Sequence, residues 1–95
     1  MERKLKWNKK AIQHFKDQLF WYEMNRGHDF AVTFSENIRV AIDVIWKTPT
    51  IGKKEYVINK RAYRSFINHP RCRIFYWYSS KEVRIVDILL ASKLH

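Results

Sequence analysis

The segment RCRIFYWYSSKEVRIVDILL, Arg71 to Leu90, decides the fold of this chain. Two runs rich in β-branched and aromatic residues, Cys72–Tyr78 and Glu82–Leu90, flank a short polar turn, which predicts an antiparallel hairpin. Arginines sit among the apolar residues of both runs. An arginine held on a rigid strand of a basic chain is well placed to bind phosphate groups or an acidic protein.

Upstream of this hairpin the pattern also favours strands. Tyr63–Asn68 reads as a strand that His69-Pro70 ends with a turn, and Tyr56–Ile58 reads as a short strand or an ordered loop. Near the start of the chain, Leu5 and Trp7 alternate with lysines, which predicts a short first strand.

Two stretches with helical periodicity separate the first strand from the others. Apolar residues recur every three or four positions, and the predicted seams are Ala11, Phe15, Leu19 and Tyr22, widened by Ile12, and then Ala31, Phe34, Ile38, Ala41 and Ile45. Asn8 and Asp29 are the predicted N-caps, Gly27 the C′ residue of the first helix, and Pro49–Gly52 the end of the second, because proline cannot continue a helix.

These elements predict one α+β domain, residues 1–95, with the order β-α-α-β-β-β. The helical hairpin would pack on one face of a small antiparallel sheet and bury its apolar seams there. The other face would be open and basic if Arg64, Arg73 and Arg84 share it, which depends on the strand register.

Composition narrows the classes of partner. The chain has 95 residues, 19 of them basic and 9 acidic, and a net charge of +10, which favours nucleic acid, an anionic surface or an acidic protein. Cys72 is the single cysteine, so an internal disulfide is excluded. The charged N-terminal residues do not resemble a signal peptide and no apolar run approaches membrane-spanning length, so we expect a cytoplasmic protein without a membrane partner.

The chain resembles the RelE/ParE superfamily of bacterial type II toxin–antitoxin toxins. The resemblance is carried by the order and spacing of five features: a strand ending in Trp7 before a helix with Ala11, a second helix holding Ile38, Ala41, Ile42 and Ile45, the closing Pro49-Thr50-Ile51-Gly52, Arg64 on the next strand, and Cys72-Arg73-Ile74-Phe75-Tyr76 followed by Glu82–Ile88.

The resemblance implies a growth-inhibiting toxin with a βααβββ fold, neutralised by a cognate acidic antitoxin and encoded in an operon of the plasmid-stabilisation type. Two activities occur in the family: inhibition of DNA gyrase by ParE-like members and mRNA cleavage in the ribosomal A site by RelE-like members. Since the chain lacks a convincing acid–base set, the ParE-like activity is favoured. A non-toxic basic domain that binds nucleic acid is a further alternative.

If the chain is RelE-like, the resemblance makes Arg64, Arg73 and Lys93 the catalytic candidates. Arginine suits charge stabilisation on a scissile phosphate, because its planar fork binds two oxygens, but its pKa above 12 makes it a poor acid. His69 and His95 are alternative proton-transfer groups. The scattered histidines and the one cysteine show no zinc spacing, so neither a metal nor another cofactor is predicted.

Two further surfaces are predicted to bind partners. The target would contact a basic cluster around a loop, Lys53, Lys54, Lys60 and Arg61, together with Arg84. Aromatic residues beyond the needs of the helical seams predict an antitoxin interface that includes Trp21, Trp46 and Trp77. Cys72 is predicted to be a small buried residue and not a nucleophile.

Overall fold

A helical hairpin packs against a five-stranded sheet in this protein, whose computed structural model describes residues 2–68 and 72–90. The elements are β1 (Lys4–Trp7), α1 (Lys9–Asn25), α2 (His28–Lys47), a 3₁₀ turn (Pro49–Ile51), β2 (Lys53–Ile58), β3 (Arg61–Asn68), β4 (Cys72–Tyr78) and β5 (Glu82–Leu90). The predicted fold class is confirmed, and the segment Tyr56–Ile58 belongs to a strand.

The sheet has the strand order β1-β5-β4-β3-β2. Strands β2 to β5 form the predicted antiparallel meander, whereas β1 pairs in parallel with the first half of β5, which makes the sheet mixed. The helical hairpin carries the chain from β1 at one edge of the sheet to β2 at the other, and the meander then brings β5 back beside β1. After β1 ends, α1 continues along β5, and the Asn8 amide donates to the Ile85 carbonyl at the junction.

The core lies between the helical hairpin and one face of the sheet, here called the helix side. Its buried residues are Ala11 and Tyr22 of α1, Ala31, Phe34, Ile38, Ala41, Ile42 and Ile45 of α2, Cys72, Ile74 and Tyr76 of β4, and Val83, Ile85 and Ile88 of β5. The predicted α2 seam and the predicted burial of Cys72 are confirmed. Aromatic pairs between the helices, such as Tyr22 with Phe34 at 4.7 Å between ring centroids, add ring contacts to this core.

The helix ends differ in detail from the prediction. Gly27 has φ 95°, a left-handed value that glycine adopts without steric cost, and it is the N-cap of α2 as well as the residue that reverses the chain after α1. The predicted cap Asp29 is therefore wrong: this residue lies in the first turn of α2, where its charge favours the helix dipole. Asn8 is the N-cap residue of α1, but its side chain makes no cap hydrogen bond.

The segment after α2 is fixed to the sheet by Tyr76. The Tyr76 hydroxyl donates to the Pro49 carbonyl oxygen at 2.6 Å and accepts from the Gly52 amide at 2.8 Å. A side chain at position 52 would overlap that hydroxyl and would place its Cβ 2.9 Å from the Ser65 carbonyl oxygen. Glycine at this position therefore allows the chain to approach β3 and β4 closely, and it sets where β2 begins.

None of the helices in the described part of the chain is both long and apolar enough to cross a membrane.

Candidate functional site

Strand register separates the arginines that were expected on one face. Arg64 lies opposite Tyr76, and Arg73 lies opposite Ile67 in the same regular β3–β4 ladder. Residues that face each other across a ladder project to the same side of a sheet. Since Tyr76 is 0% exposed beneath the helices, Arg64 belongs to the helix side.

Arg73 and Arg84 project from the opposite, open face. Trp77 lies four residues after Arg73 on β4, so both point the same way, and Trp77 pairs with Arg84. The expected common face for the three arginines is therefore wrong for Arg64. The reason is that β3 carries large apolar side chains on both faces, so hydrophobic alternation does not decide its orientation.

Arg64 and Arg3 meet at the ring of Tyr78 on the helix side. Their guanidinium carbons lie 5.7 and 5.3 Å from the ring centroid, within cation–π range. Arg64 donates from Nη1 to the Gly52 carbonyl oxygen at 2.8 Å, and Arg3 donates from Nε to the Ser79 carbonyl oxygen at 2.6 Å. Arg64 Nε is buried without a hydrogen-bond partner among the described residues, an arrangement that costs about 1–3 kcal/mol.

A second group of arginines surrounds Trp77 on the open face. The guanidinium carbon of Arg61 lies 3.6 Å from the Trp77 ring centroid, and that of Arg84 lies 5.9 Å away. Arg84 is also paired with Glu82, Nη2 to Oε2 at 3.0 Å. Trp77 is only 9% exposed as a result, so its ring is available to the two arginines rather than to solvent.

The β2–β3 turn closes this end of the sheet. Asn59 and Lys60 both have positive φ, 52° and 65°, as a two-residue type I′ hairpin turn requires. Beside the turn lies an open cleft of about 410 Å³, here called the basic cleft, lined by Lys54, Asn59, Lys60, Arg61, Ala62, Arg64, Tyr78 and Ser79. Its four cations and the adjacent Arg3 have no carboxylate within 4 Å in the part of the chain that the structure describes.

An apolar groove lies where β1 meets the helical hairpin. Its volume is about 380 Å³, and it is lined by Leu5, Trp7, Phe15, Ser35, Ile38, Arg39, Ile42, Asp43 and Trp46. Trp46 forms part of the wall and donates from its indole nitrogen to the Arg3 carbonyl oxygen at 2.6 Å. The groove could accommodate apolar side chains of a partner, with Arg39 and Asp43 at its rim.

The sequence matches the family described as "ParE toxin of type II toxin-antitoxin system, parDE" over residues 5–94. The chain belongs to the ParE toxin family. Among solved structures it is similar to a chain of the chromosomal ParDE toxin–antitoxin system from P. aeruginosa, with 17% sequence identity, a TM-score of 0.75, and coverage of 92% of this chain and 94% of that chain. At this identity the likeness shows a shared fold. No curated protein matches the sequence.

The predicted target-binding residues of this ParE-family toxin are divided between two surfaces. Lys54, Lys60 and Arg61 line the basic cleft. Lys53 and Arg73 both approach Glu55 on the open face, at 3.8 and 3.7 Å, so their charges are partly compensated. Arg84 and Arg61 lie against the same Trp77 ring, whereas Arg73 and Arg64 lie on opposite sides of the sheet.

The three tryptophans predicted to bind the antitoxin occupy three different environments in the toxin. Trp46 lines the apolar groove, and Trp77 is covered by arginines. Trp21 is 45% exposed on α1, near the exposed side chains of Phe20 and Met24. Their role in antitoxin binding stays a prediction.

The described histidines, His14 and His28, both lie on the helical hairpin. His14 lies on α1 and is 2.5 Å from Asp87 of β5, between Nδ1 and Oδ1. Lys93, His69 and His95 lie outside the described residues. In the described part of the chain no three His, Cys, Asp or Glu side chains form a group that could hold a metal ion.

Sequence reasoning did not place Arg3 or Tyr78 beside Arg64. Neither has a local signal, because they meet Arg64 only when β1, β3 and β4 are assembled. The turn at Asn59-Lys60 was also missed, although asparagine between two short β-rich runs is a recognised hairpin signal.

Proposed function

We propose that this protein is the toxin of a type II toxin–antitoxin pair that acts in the cytoplasm by binding and inhibiting DNA gyrase. The observation that carries the proposal is the separation of Arg64 and Arg73 onto opposite sides of the sheet. Two arginines in this arrangement cannot hold one scissile phosphate between them. The cationic surface is therefore better suited to binding than to a two-arginine cleavage reaction.

The individual contacts of the arginines support the same proposal. Arg64 is anchored by Gly52 and the Tyr78 ring, and Arg73 approaches Glu55. Cleavage through a ribose hydroxyl also needs groups that accept and donate protons, whereas an arginine with a pKa above about 12 stays charged. A rigid, permanently charged surface favours recognition of an anionic partner.

RelE-like cleavage of mRNA is the second candidate, and the basic cleft favours it. Arg64 and Tyr78 lie together there, and a phenol can give its proton to a leaving oxygen while an arginine stabilises the charge of the phosphate. In this alternative Arg64 stabilises phosphate charge, and Lys93 assists as the resemblance implies. Arg73, on the open face, would then take no part in the cleavage reaction.

The antitoxin in this proposal is an acidic protein that binds the toxin by charge and by apolar contact. The net charge of +10 attracts an acidic chain, and the groove beside Trp46 accepts its apolar side chains. A partly disordered antitoxin could reach both the groove and the basic end of the sheet, because it folds on binding.

The test compares the two activities in the same preparation. Purified toxin should inhibit supercoiling of relaxed plasmid by DNA gyrase and leave ribosome-bound mRNA intact, while induced expression arrests growth. An Arg61→Ala variant should inhibit gyrase less, with Lys16→Ala on the outer face of α1 as the control of equal charge change. Codon-phased mRNA cuts with unaffected supercoiling would overturn the gyrase proposal in favour of the nuclease.

A further inference from the structure

The basic cleft carries positive charge that the toxin itself leaves uncompensated. Five cations, Arg3, Lys54, Lys60, Arg61 and Arg64, gather at one end of the sheet without a carboxylate within 4 Å in the described part of the chain. Elsewhere on the same sheet the cations Lys53, Arg73 and Arg84 do have such partners. Mutual repulsion makes an uncompensated cluster unfavourable for folding, and a bound anion relieves that repulsion.

Aromatic rings hold the arginine planes of this cluster in place. Trp77 supports Arg61 from the open face, and Tyr78 supports Arg3 and Arg64 from the helix side. Because Trp77 and Tyr78 are consecutive residues of β4, the two sets of arginines lie back to back. Arg3 and Arg64 each donate one N–H group to a backbone carbonyl oxygen, so their remaining terminal N–H groups and those of the exposed Arg61 are left to match the oxygens of a phosphate group.

The hairpin turn adds a cation at a conformationally unfavourable position. Lys60 has φ 65°, a left-handed value at which glycine is the usual residue of a type I′ turn. Its side chain is exposed and lines the basic cleft. A lysine at a position where glycine would be less strained supplies charge at the mouth of the cleft.

We propose that the basic cleft binds the backbone phosphates of duplex DNA, so that the toxin holds the DNA of its target complex as well as the enzyme. This inference rests on the proposed function. Phosphate is favoured over an acidic protein because the cleft offers arginine forks and lysines with Tyr78 and Ala62 as its few apolar groups. Base recognition is not expected, since arginines cover Trp77.

The experiment measures binding of the full-length toxin to a fluorescein-labelled duplex of about 20 base pairs by anisotropy, between about 50 and 300 mM NaCl. A contact to each of four or five phosphates gives a slope of log K against log salt of about −4. The double variant Lys60→Gly/Arg61→Ala should lose about two from the magnitude of this slope. The matched control is Lys9→Ala/Lys16→Ala, which removes the same charge from exposed positions of α1.

Each outcome supports or overturns the inference. An unchanged slope in the α1 control and a reduced slope in the cleft variant support it. Equal losses in both variants would mean that only net charge matters and would overturn it, as would a flat salt dependence of the unmodified toxin. Poly-glutamate of equal charge that binds as tightly, with the same sensitivity to Lys60→Gly/Arg61→Ala, would overturn it in favour of an acidic protein.

Gyrase assays with the same proteins separate this inference from the proposed function. If the toxin binds duplex DNA through the cleft but does not inhibit supercoiling, the proposed function fails and the cleft assignment stands. If it inhibits supercoiling and the cleft variant inhibits it equally well, the inference fails and the proposed function stands. Circular dichroism of each variant shows whether it is still folded. Because Lys60→Gly is expected to raise stability, the cleft variant should remain folded.

Discussion

At the scale of single residues, Tyr76 connects the end of the helical hairpin to the sheet. Its hydroxyl bridges the Pro49 carbonyl oxygen and the Gly52 amide in the interior. Tyr76→Phe leaves both backbone groups without this partner, so we expect the free energy of unfolding to fall by about 2–3 kcal/mol. Urea denaturation measures the change. Tyr78→Phe is the control, because the Tyr78 hydroxyl makes no hydrogen bond to another described residue, and similar losses in the two variants would contradict this explanation.

Cys72 provides a prediction on alkaline stability. Burial raises the pKa of its thiol to about 12 from the usual 9.0. Between these values the unfolded chain loses the thiol proton and the folded chain keeps it, so the unfolded state binds fewer protons and stability falls as pH rises. The slope is at most about 1.4 kcal/mol per pH unit for this group. The total decline of the free energy of unfolding with pH should be smaller in Cys72→Ala, as measured by urea denaturation from pH 8.5 to about 11.

Buried tyrosines also reduce the free energy of unfolding as the pH rises through the alkaline range. Their effect is common to both proteins in the Cys72 comparison. Burial also raises the pKa of Tyr22 and of Tyr76, so both variants of the Cys72 comparison retain a decline above pH 10.0. The prediction concerns the difference between the unmodified toxin and Cys72→Ala. Identical pH profiles would show that the thiol is not held in its neutral form.

At the scale of secondary-structure elements, α1 is bound to β5 by a polar side chain within its apolar seam. Gln18 is buried and donates from Nε2 to the Ile88 carbonyl oxygen at 2.6 Å. Gln18→Leu keeps the size of the side chain but leaves that carbonyl unsatisfied, so we expect a loss of about 1–3 kcal/mol in urea denaturation. Gln13→Leu, at an exposed position of the same helix, should change stability by about 0.5 kcal/mol or less.

In the β2–β3 hairpin, by contrast, we expect a substitution to raise stability. Lys60 adopts a left-handed conformation, which costs a side-chain-bearing residue about 1 kcal/mol relative to glycine. Lys60→Gly should therefore raise the free energy of unfolding by up to about 1 kcal/mol, although glycine also gains freedom in the unfolded chain. A shift of the thermal midpoint measures it. If Lys60→Gly lowers the stability instead, the lysine side chain contributes to folding. Backbone strain at position 60 would then no longer explain the behaviour of the turn.

The same elements show where sequence patterns are informative. The α2 seam and the bounds of β4 and β5 were predictable because helical and strand periodicities are local properties. Gln18 was not placed in the α1 seam, because a polar residue with a backbone partner leaves no apolar signal. The side of the sheet that Arg64 occupies was also out of reach, since Phe66 and Ile67 give β3 an apolar residue on each face.

At the scale of the whole molecule, the positive charge is unevenly compensated. Acidic partners occur along α2 and the open face, whereas the basic cleft has none within 4 Å among the described residues. Contacts of this kind depend on the assembled sheet, which is why the sequence indicated an anionic partner without locating its site. The apolar groove and the cleft share no lining residue but are connected through Arg3, so one antitoxin chain could span both.

A substitution in the apolar groove should weaken neutralisation by the antitoxin without reducing toxicity. Ser35 lies at the groove on α2, beside the exposed Glu36. Ser35→Trp should fill the groove without altering the basic cleft, so the toxin should still arrest growth but bind its antitoxin at least about tenfold more weakly, a change of about 1.4 kcal/mol. Titration of the purified antitoxin measures the affinity, and co-expression measures rescue of growth.

Thr33→Trp places the same side chain two positions away and is the matched control, since Thr33 is exposed on the same helix and does not line the groove. It should leave both rescue and affinity unchanged. If antitoxin rescues Ser35→Trp as well as the unmodified toxin, the groove is not the neutralisation surface. The exposed aromatic patch around Trp21 would then be the next surface to substitute, because its large apolar side chains are exposed and none of them lines the groove.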